Sequence, residues 1–126
     1  MKRFVLSVSL LAVLLAGSIG VTLKMQRIHR PISDRLYQAA ALSRLGDADG
    51  AENLAQQANR AWQRHREFTS AFADQNPMEE IDELFGTLKA WPGDSEDFGS
   101  GCLQLAERTR AMAEAHLPVW WNLLCD

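Results

Sequence analysis

The chain has 126 residues, 47% of them hydrophobic, and a formal net charge of −3 at pH 7, which allows one small domain beside any membrane segment. From Leu36 onward seven basic residues face fifteen acidic ones, and this acidic body argues against nucleic-acid binding, which requires a basic face. Two cysteines, Cys102 and Cys125, match neither a dense disulfide framework nor a CxxC redox or zinc motif.

The first predicted element is an apolar run from Phe4 to Leu23 that contains no charged side chain. At about 1.5 Å per helical residue the run is roughly 30 Å long, which matches the hydrocarbon core of a bilayer. We predict a basic tail over residues 1–3, a transmembrane anchor over 4–23 and one helical extramembrane domain over 24–126. The alternative is a cleaved secretory signal, because residues 16–18 are small, although no clean Ala-x-Ala site interrupts the run.

Small side chains recur every four residues within the predicted anchor, at Ala12, Ala16 and Gly20. Such a face lets the backbone of a second helix approach closely. We therefore expect these residues to form a helix–helix contact with another membrane protein or with a second copy of the chain.

A basic collar follows the anchor, and we expect three of its members to contact lipid headgroups: Lys24, Arg27 and Arg30. The numbers of Lys and Arg on the two sides of the anchor favour a cytoplasmic C-terminal side. A short basic tail ahead of the first apolar segment is instead typical of a signal anchor, which exports the body. We expect the domain to be extracytoplasmic at the cell membrane.

The helical pattern continues beyond the collar to Leu45, and Pro31 is expected to kink or restart this helix. Gly46 predicts a C-terminal stop, and Asp47 predicts the N-cap of the next helix. In that helix the stripe at steps of three and four comprises Ala51, Leu54, Ala55, Ala58, Trp62, His65, Phe68, Thr69 and Phe72.

A third helix is predicted where Asn76 supplies an N-cap, Pro77 the first helical position and Glu79 a reciprocal acid. The aromatic Phe85 of this helix and Trp62 of the second are expected to be buried between the two. The full stripe of the third helix is Met78, Ile81, Leu84, Phe85, Leu88 and Trp91.

A last helix, capped by Ser95 or Asp97, is predicted to continue to the C-terminus with a kink at Pro118. Its stripe comprises Cys102, Leu105, Ala106, Thr109, Met112, Ala113, His116, Trp120 and Leu123. The fold class expected from these elements is all-α: an N-terminal transmembrane helix followed by a small antiparallel bundle of about four helices.

The end of this last helix approaches the membrane if every connection reverses the chain. Tryptophan is enriched at the headgroup level of membranes, so Trp120 and Trp121 are predicted interface contacts. In the competing interpretation Trp120 continues the core stripe and Trp121 packs on the first helix.

The order of features resembles a family of short, uncharacterised, single-pass, membrane-anchored bacterial proteins, a domain of unknown function found mainly in Gram-positive spore formers. The residues that carry the resemblance are Gly46, Asp47, Trp62, the stretch 68–82 and the stretch 122–124. The resemblance implies a membrane-anchored helical domain and brings no known activity. Where the family is expected to have a histidine shortly before the third helix, this chain has Gln75 and Asn76, so no histidine-based site is implied.

The sequence contains no HExxH, GxSxG, phosphate-loop or CxxCH motif, and we predict a protein without catalytic activity, cofactor or metal. His65, His116 and Cys102 are the candidates if catalysis occurs. The predicted function is a binding or scaffolding module at the bilayer, acting through protein–protein contacts. The alternatives are a metal-dependent enzyme that uses His65 and His116, and a secreted helical bundle after signal cleavage.

The apolar run predicts that the anchor stays attached in the mature protein. Intact mass of the protein purified from membranes should correspond to a chain that retains residues 4–23. A product that begins near Ile19 or Val21 and is released by a carbonate wash would identify the run as a cleaved signal.

Overall fold

The computed structural model describes residues 1–73 and 75–114. They form four helices and, within these ranges, no strand: α1 (Lys2–Arg44), α2 (Ala48–Phe72), α3 (Gln75–Leu88) and α4 (Glu96–Glu114). The predictions of an all-helical chain and of a long apolar N-terminal helix are confirmed. The predictions for Phe72, His116, Pro118, Trp120, Trp121, Leu123 and Cys125 concern residues or side chains outside the described part.

Helix α1 continues without a break through Pro31, so the expected restart at this proline is wrong. Proline lacks the N–H that would bond the carbonyl of Arg27, four residues earlier. Both residues are exposed, so water can hydrate the carbonyl that loses its helical partner. The predicted anchor and the predicted first helix of the domain are therefore one element of 43 residues.

The two halves of α1 differ in burial. Between Phe4 and Leu15 the large apolar side chains are 37–74% exposed, whereas from Thr22 onward one face of the helix is buried. Burial therefore begins one residue before the predicted end of the anchor at Leu23. The buried face comprises Thr22, Met25, Ile28, His29, Ile32, Ser33, Leu36, Ala39, Ala40 and Ser43.

The turn between α1 and α2 confirms the predicted stop at Gly46 and the predicted cap at Asp47. Gly46 has a φ of +82°, a left-handed conformation that glycine adopts without steric cost. Its N–H bonds the carbonyl of Ser43, and the N–H of Asp47 bonds that of Leu42, which is the Schellman pattern. The Asp47 carboxylate then accepts a hydrogen bond from the N–H of Gly50 at 3.0 Å.

The start of α3 differs from the prediction, because the helix begins at Gln75 and Asn76 lies inside its first turn rather than at the N-cap. Pro77 is tolerated there because the first N–H groups of a helix have no intrahelical acceptor. At α4 the cap is Ser95, whose Oγ accepts a hydrogen bond from the N–H of Phe98 at 3.1 Å. Asp97 lies within the first turn of that helix.

The core is built around α1, which packs mainly against α4 and α2, while α3 packs on α4 and touches α2 less. Trp62 is fully buried and Phe85 is 3% exposed, as predicted. All described members of the α4 stripe are buried, whereas Leu54, His65 and Phe68 of the α2 stripe are partly exposed. The serine hydroxyl of Ser33 donates to the carbonyl of Ala106 at 2.9 Å and ties α1 to α4.

Replacing Trp62 by alanine should strongly destabilise the bundle, because removal of a fully buried large aromatic side chain leaves a cavity. We expect a loss of about 3 to 5 kcal/mol in the free energy of unfolding, measured by denaturant titration of the full chain in detergent. Leu45→Ala is the control, since Leu45 is 81% exposed, and it should change stability by less than about 0.5 kcal/mol. Equal midpoints for the two variants would contradict the central position of Trp62.

Candidate functional site

The N-terminal half of α1 is an uncovered apolar surface. Among the described residues, α1 is the one helix that is long and apolar enough to span a membrane, a property that a signal sequence also has. Ala12, Ala16 and Gly20 are exposed on it. A Cβ added at Gly20 would meet no atom within 4 Å, so the described residues leave room beside the small face for another helix.

A groove of about 680 Å³ lies where this apolar half meets the bundle, between α1 and α2. Two of the predicted headgroup contacts, Lys24 and Arg27, line this groove. The third, Arg30, is exposed and does not line it. The remaining lining residues are Gly20, Leu23, Ile28, Pro31, Arg35, Ala61, Arg64 and His65.

The cations of this groove are not neutralised by ion pairs within the described part of the chain. The ion pairs found there are Arg66–Asp82, Arg108–Glu80 and Arg110–Glu114. Lys24 lies with its Nζ 4.2 Å from the ring centroid of Phe68, a cation–π contact that joins α1 to α2. The groove is therefore a positively charged surface on a chain whose net charge is negative.

Sequence reasoning missed His29, which is fully buried between α1 and α2. Its ring centroid is 5.7 Å from that of Trp62, and its Nε2 is 3.3 Å from Oγ1 of Thr69. Because the Thr69 hydroxyl donates to the carbonyl of His65 at 2.9 Å, the Nε2 of His29 is the donor to Thr69. Continuing the predicted stripe backward from Ile32 in steps of three or four would have identified His29 as a core residue.

Asp82 joins α3 to α2 through both carboxylate oxygens. Its Oδ1 accepts a hydrogen bond from Nε1 of Trp62 at 2.7 Å. Its Oδ2 accepts bonds from Nε and Nη2 of Arg66 at 3.0 and 2.8 Å. The hydrogen bond and the negative charge of Asp82 raise the pKa of Arg66, so the guanidinium stays charged. The Asp82 carboxylate thus accepts the hydrogen bond of the buried Trp62 indole N–H and also holds the Arg66 guanidinium in place.

The residues that catalysis would need do not converge within the described part of the chain. There, no three His, Cys, Asp or Glu side chains lie where they could hold a metal ion. Cys102 is fully buried, and burial raises the pKa of its thiol to about 12. The thiol is therefore protonated at neutral pH and is a poor nucleophile. His65 lines the basic groove, and His116 lies outside the described residues.

A second cleft of about 340 Å³ lies between the first half of α2 and the end of α3. Phe85, Leu88 and Phe98 supply apolar lining, and Lys89 lines it as well. The Oδ1 atom of Asn59, another lining residue, is buried without a hydrogen-bond partner. The cleft therefore has a largely apolar wall, and the unpaired Oδ1 of Asn59 is buried behind it.

The chain matches no protein-family model, no curated protein and no solved structure. The resemblance to membrane-anchored bacterial proteins of unknown function stays a prediction.

Replacing Asp82 by alanine should destabilise the protein because it leaves the buried indole N–H of Trp62 without its acceptor. We expect a loss of about 1 to 3 kcal/mol in the free energy of unfolding, measured by denaturant titration. Glu83→Ala is the matched control on an exposed neighbour and should lie within about 0.5 kcal/mol of wild type. Arg66→Ala should cost less than about 1 kcal/mol because that ion pair is partly exposed. A larger effect from Arg66→Ala than from Asp82→Ala would contradict this assignment.

Proposed function

We propose that this protein is a single-pass, membrane-anchored helical module that binds a protein partner at the membrane. The observation that carries the proposal is the division of α1 into a bare apolar half and a half that forms the centre of the core. Large exposed apolar surfaces on a protein mark contact with a membrane or a partner. The length of the run, close to the thickness of a bilayer core, favours the membrane.

The domain that follows the anchor is, in this proposal, an antiparallel bundle. The contacts between α1 and α4 support this arrangement, because Ser33 of α1 bonds Ala106 and the later Ser43 bonds the earlier Ser95. The Schellman turn at Gly46 supports a reversal between α1 and α2. The anchor then leaves the bundle at one end, and the turn at Gly46 lies at the other. We place the bundle on the extracytoplasmic side.

The proposed partner contact uses the face of Ala12, Ala16 and Gly20. This face is exposed and lies within the run that would be inside the bilayer. Apolar surface alone does not drive helix association in lipid, so close packing against small residues is the available source of affinity. The proposal assigns no catalytic activity, and the protonated state of the Cys102 thiol supports that part of it.

A secreted bundle is the second candidate, and one observation favours it. The buried face begins at Thr22, so cleavage near Ile19 or Val21 would leave that face complete, and half-buried Ser18 is the one residue of 1–18 removed that is not exposed. The two candidates differ in whether the apolar half of α1 persists in the mature protein.

The proposed contact can be tested with a small diazirine-bearing amino acid incorporated at Ala16 and irradiated in native membranes. The matched control carries the same amino acid at Leu14, which lies about 160° around the helix from Ala16. We expect one discrete protein adduct from position 16 and none from position 14. The mass of the adduct distinguishes a second copy from another protein. No adduct, or the same adduct from both positions, would contradict the contact.

A further inference from the structure

We propose that the basic groove between α1 and α2 binds the phosphate headgroup of an anionic lipid. The residues assigned to the phosphate are Lys24 and Arg27 of α1 and Arg64 of α2. This inference rests on the proposed membrane anchoring and adds a binding site for an anionic phospholipid.

The position of the groove along α1 matches the boundary between hydrocarbon and headgroups. Its lower lining residues, Gly20 and Leu23, belong to the apolar run, and Lys24 is the first charged residue after that run. Arg27 follows about 4.5 Å higher along the helix. The headgroup layer is about 5 to 8 Å thick on each side of a bilayer. Lys24 and Arg27 thus fall within this layer when Leu23 marks its lower edge.

Arg64 lies on the α2 wall of the groove, near the height of Lys24 and Arg27 on the α1 wall. The contact between the Lys24 ammonium and the ring of Phe68 places this part of α2 beside the start of the collar. Arg64 precedes Phe68 by about one helical turn and lines the groove together with Ala61 and His65. Cations on two walls can contact different oxygens of one phosphate, and the planar fork of arginine suits such contacts.

Among residues 1–73 and 75–114, no acidic side chain lines the groove. The nearest acid in sequence on α2 is Glu67, three residues after Arg64, and it is exposed and forms no ion pair with Arg64. On α3, Asp82 meets α2 at Trp62 and Arg66, on a different face of α2 from the groove. The positive charge of the groove is therefore available to an external anion.

The lower part of the groove suits the lipid rather than a free anion. Leu23, which lines this lower part, is 50% exposed. An acyl chain can lie against this apolar surface while its phosphate faces Lys24 and Arg27. A free phosphate would contact only the charged part.

The test is lipid binding by the full-length protein in a neutral detergent, measured by native mass spectrometry and by the shift of the melting temperature. The probes are short-chain phosphatidylglycerol, phosphatidylcholine of equal chain length, and inorganic phosphate. We expect one phosphatidylglycerol to be retained, with an affinity about fivefold or more above that for phosphatidylcholine. Equal retention of the two lipids, or equal stabilisation by inorganic phosphate, would overturn the proposal.

Arg64→Gln is the diagnostic variant, and Arg60→Gln is the matched control, because Arg60 is an exposed arginine of the same helix outside the groove. Arg64→Gln should weaken phosphatidylglycerol binding about fivefold, whereas Arg60→Gln should leave it unchanged. Circular dichroism and unfolding midpoints should be the same for both variants. Equal losses of binding in the two variants would show that general surface charge, not the groove, attracts the lipid.

Carbonate extraction of native membranes separates this inference from the proposed function. Wild type and Arg64→Gln should both resist extraction, because the apolar half of α1 supplies the anchoring. If both resist extraction and neither prefers phosphatidylglycerol, the groove proposal is wrong and the anchor stands. If wild type is extracted, the anchoring is wrong, and lipid retention in detergent still reports on the groove.

Discussion

The continuity of α1 is the constraint on which the rest of the structure depends. Because the helix continues through Pro31, its exposed apolar half and the half at the centre of the core belong to one α-helix of 43 residues. A helix is stiff over this length, so the two halves cannot rotate independently as they could around a flexible linker. Both α2 and α4 pack on the C-terminal half. The height of each bundle residue along the axis of α1 is therefore fixed relative to the apolar half. The height of the groove above the apolar half is fixed in the same way.

The interfaces around α1 combine small side chains with a few directional polar contacts. Ala39 and Ala40 of α1 and Ala55 and Ala58 of α2 are buried, which allows close approach of helices but specifies register weakly. Hydrogen bonds supply register, because an unpaired buried donor is costly. Between α2 and α3 that role belongs to the bond from the Trp62 indole to Asp82. The His29–Thr69 and Ser33–Ala106 bonds do the same for α1 against α2 and against α4.

Charge in this protein is organised by tertiary structure rather than by composition. The chain is acidic overall, yet Lys24, Arg27, Arg35 and Arg64 line one groove at the base of the bundle, and no acid of the described residues lines it. Several acids are engaged elsewhere: Asp82 with Arg66, and Glu80 with Arg108. The electrostatic field of an acidic molecule with a basic groove favours the orientation in which the groove faces an anionic interface. Net charge alone would have pointed away from an anionic ligand.

The sequence by itself determined the helical class, the apolar run, the Gly46–Asp47 turn and most of the buried stripe residues, because periodicity, caps and glycine conformation are local properties. The expected restart at Pro31 and the expected N-cap at Asn76 were wrong, because α1 continues through the proline and α3 begins at Gln75. Only the tertiary structure showed that His29 is buried beside Trp62 and that Arg64 joins Lys24 and Arg27 in one groove. Lys24 and Arg64 are 40 positions apart in the chain. No local pattern relates them, and they become neighbours because α2 packs against α1 in the register that the buried contacts select.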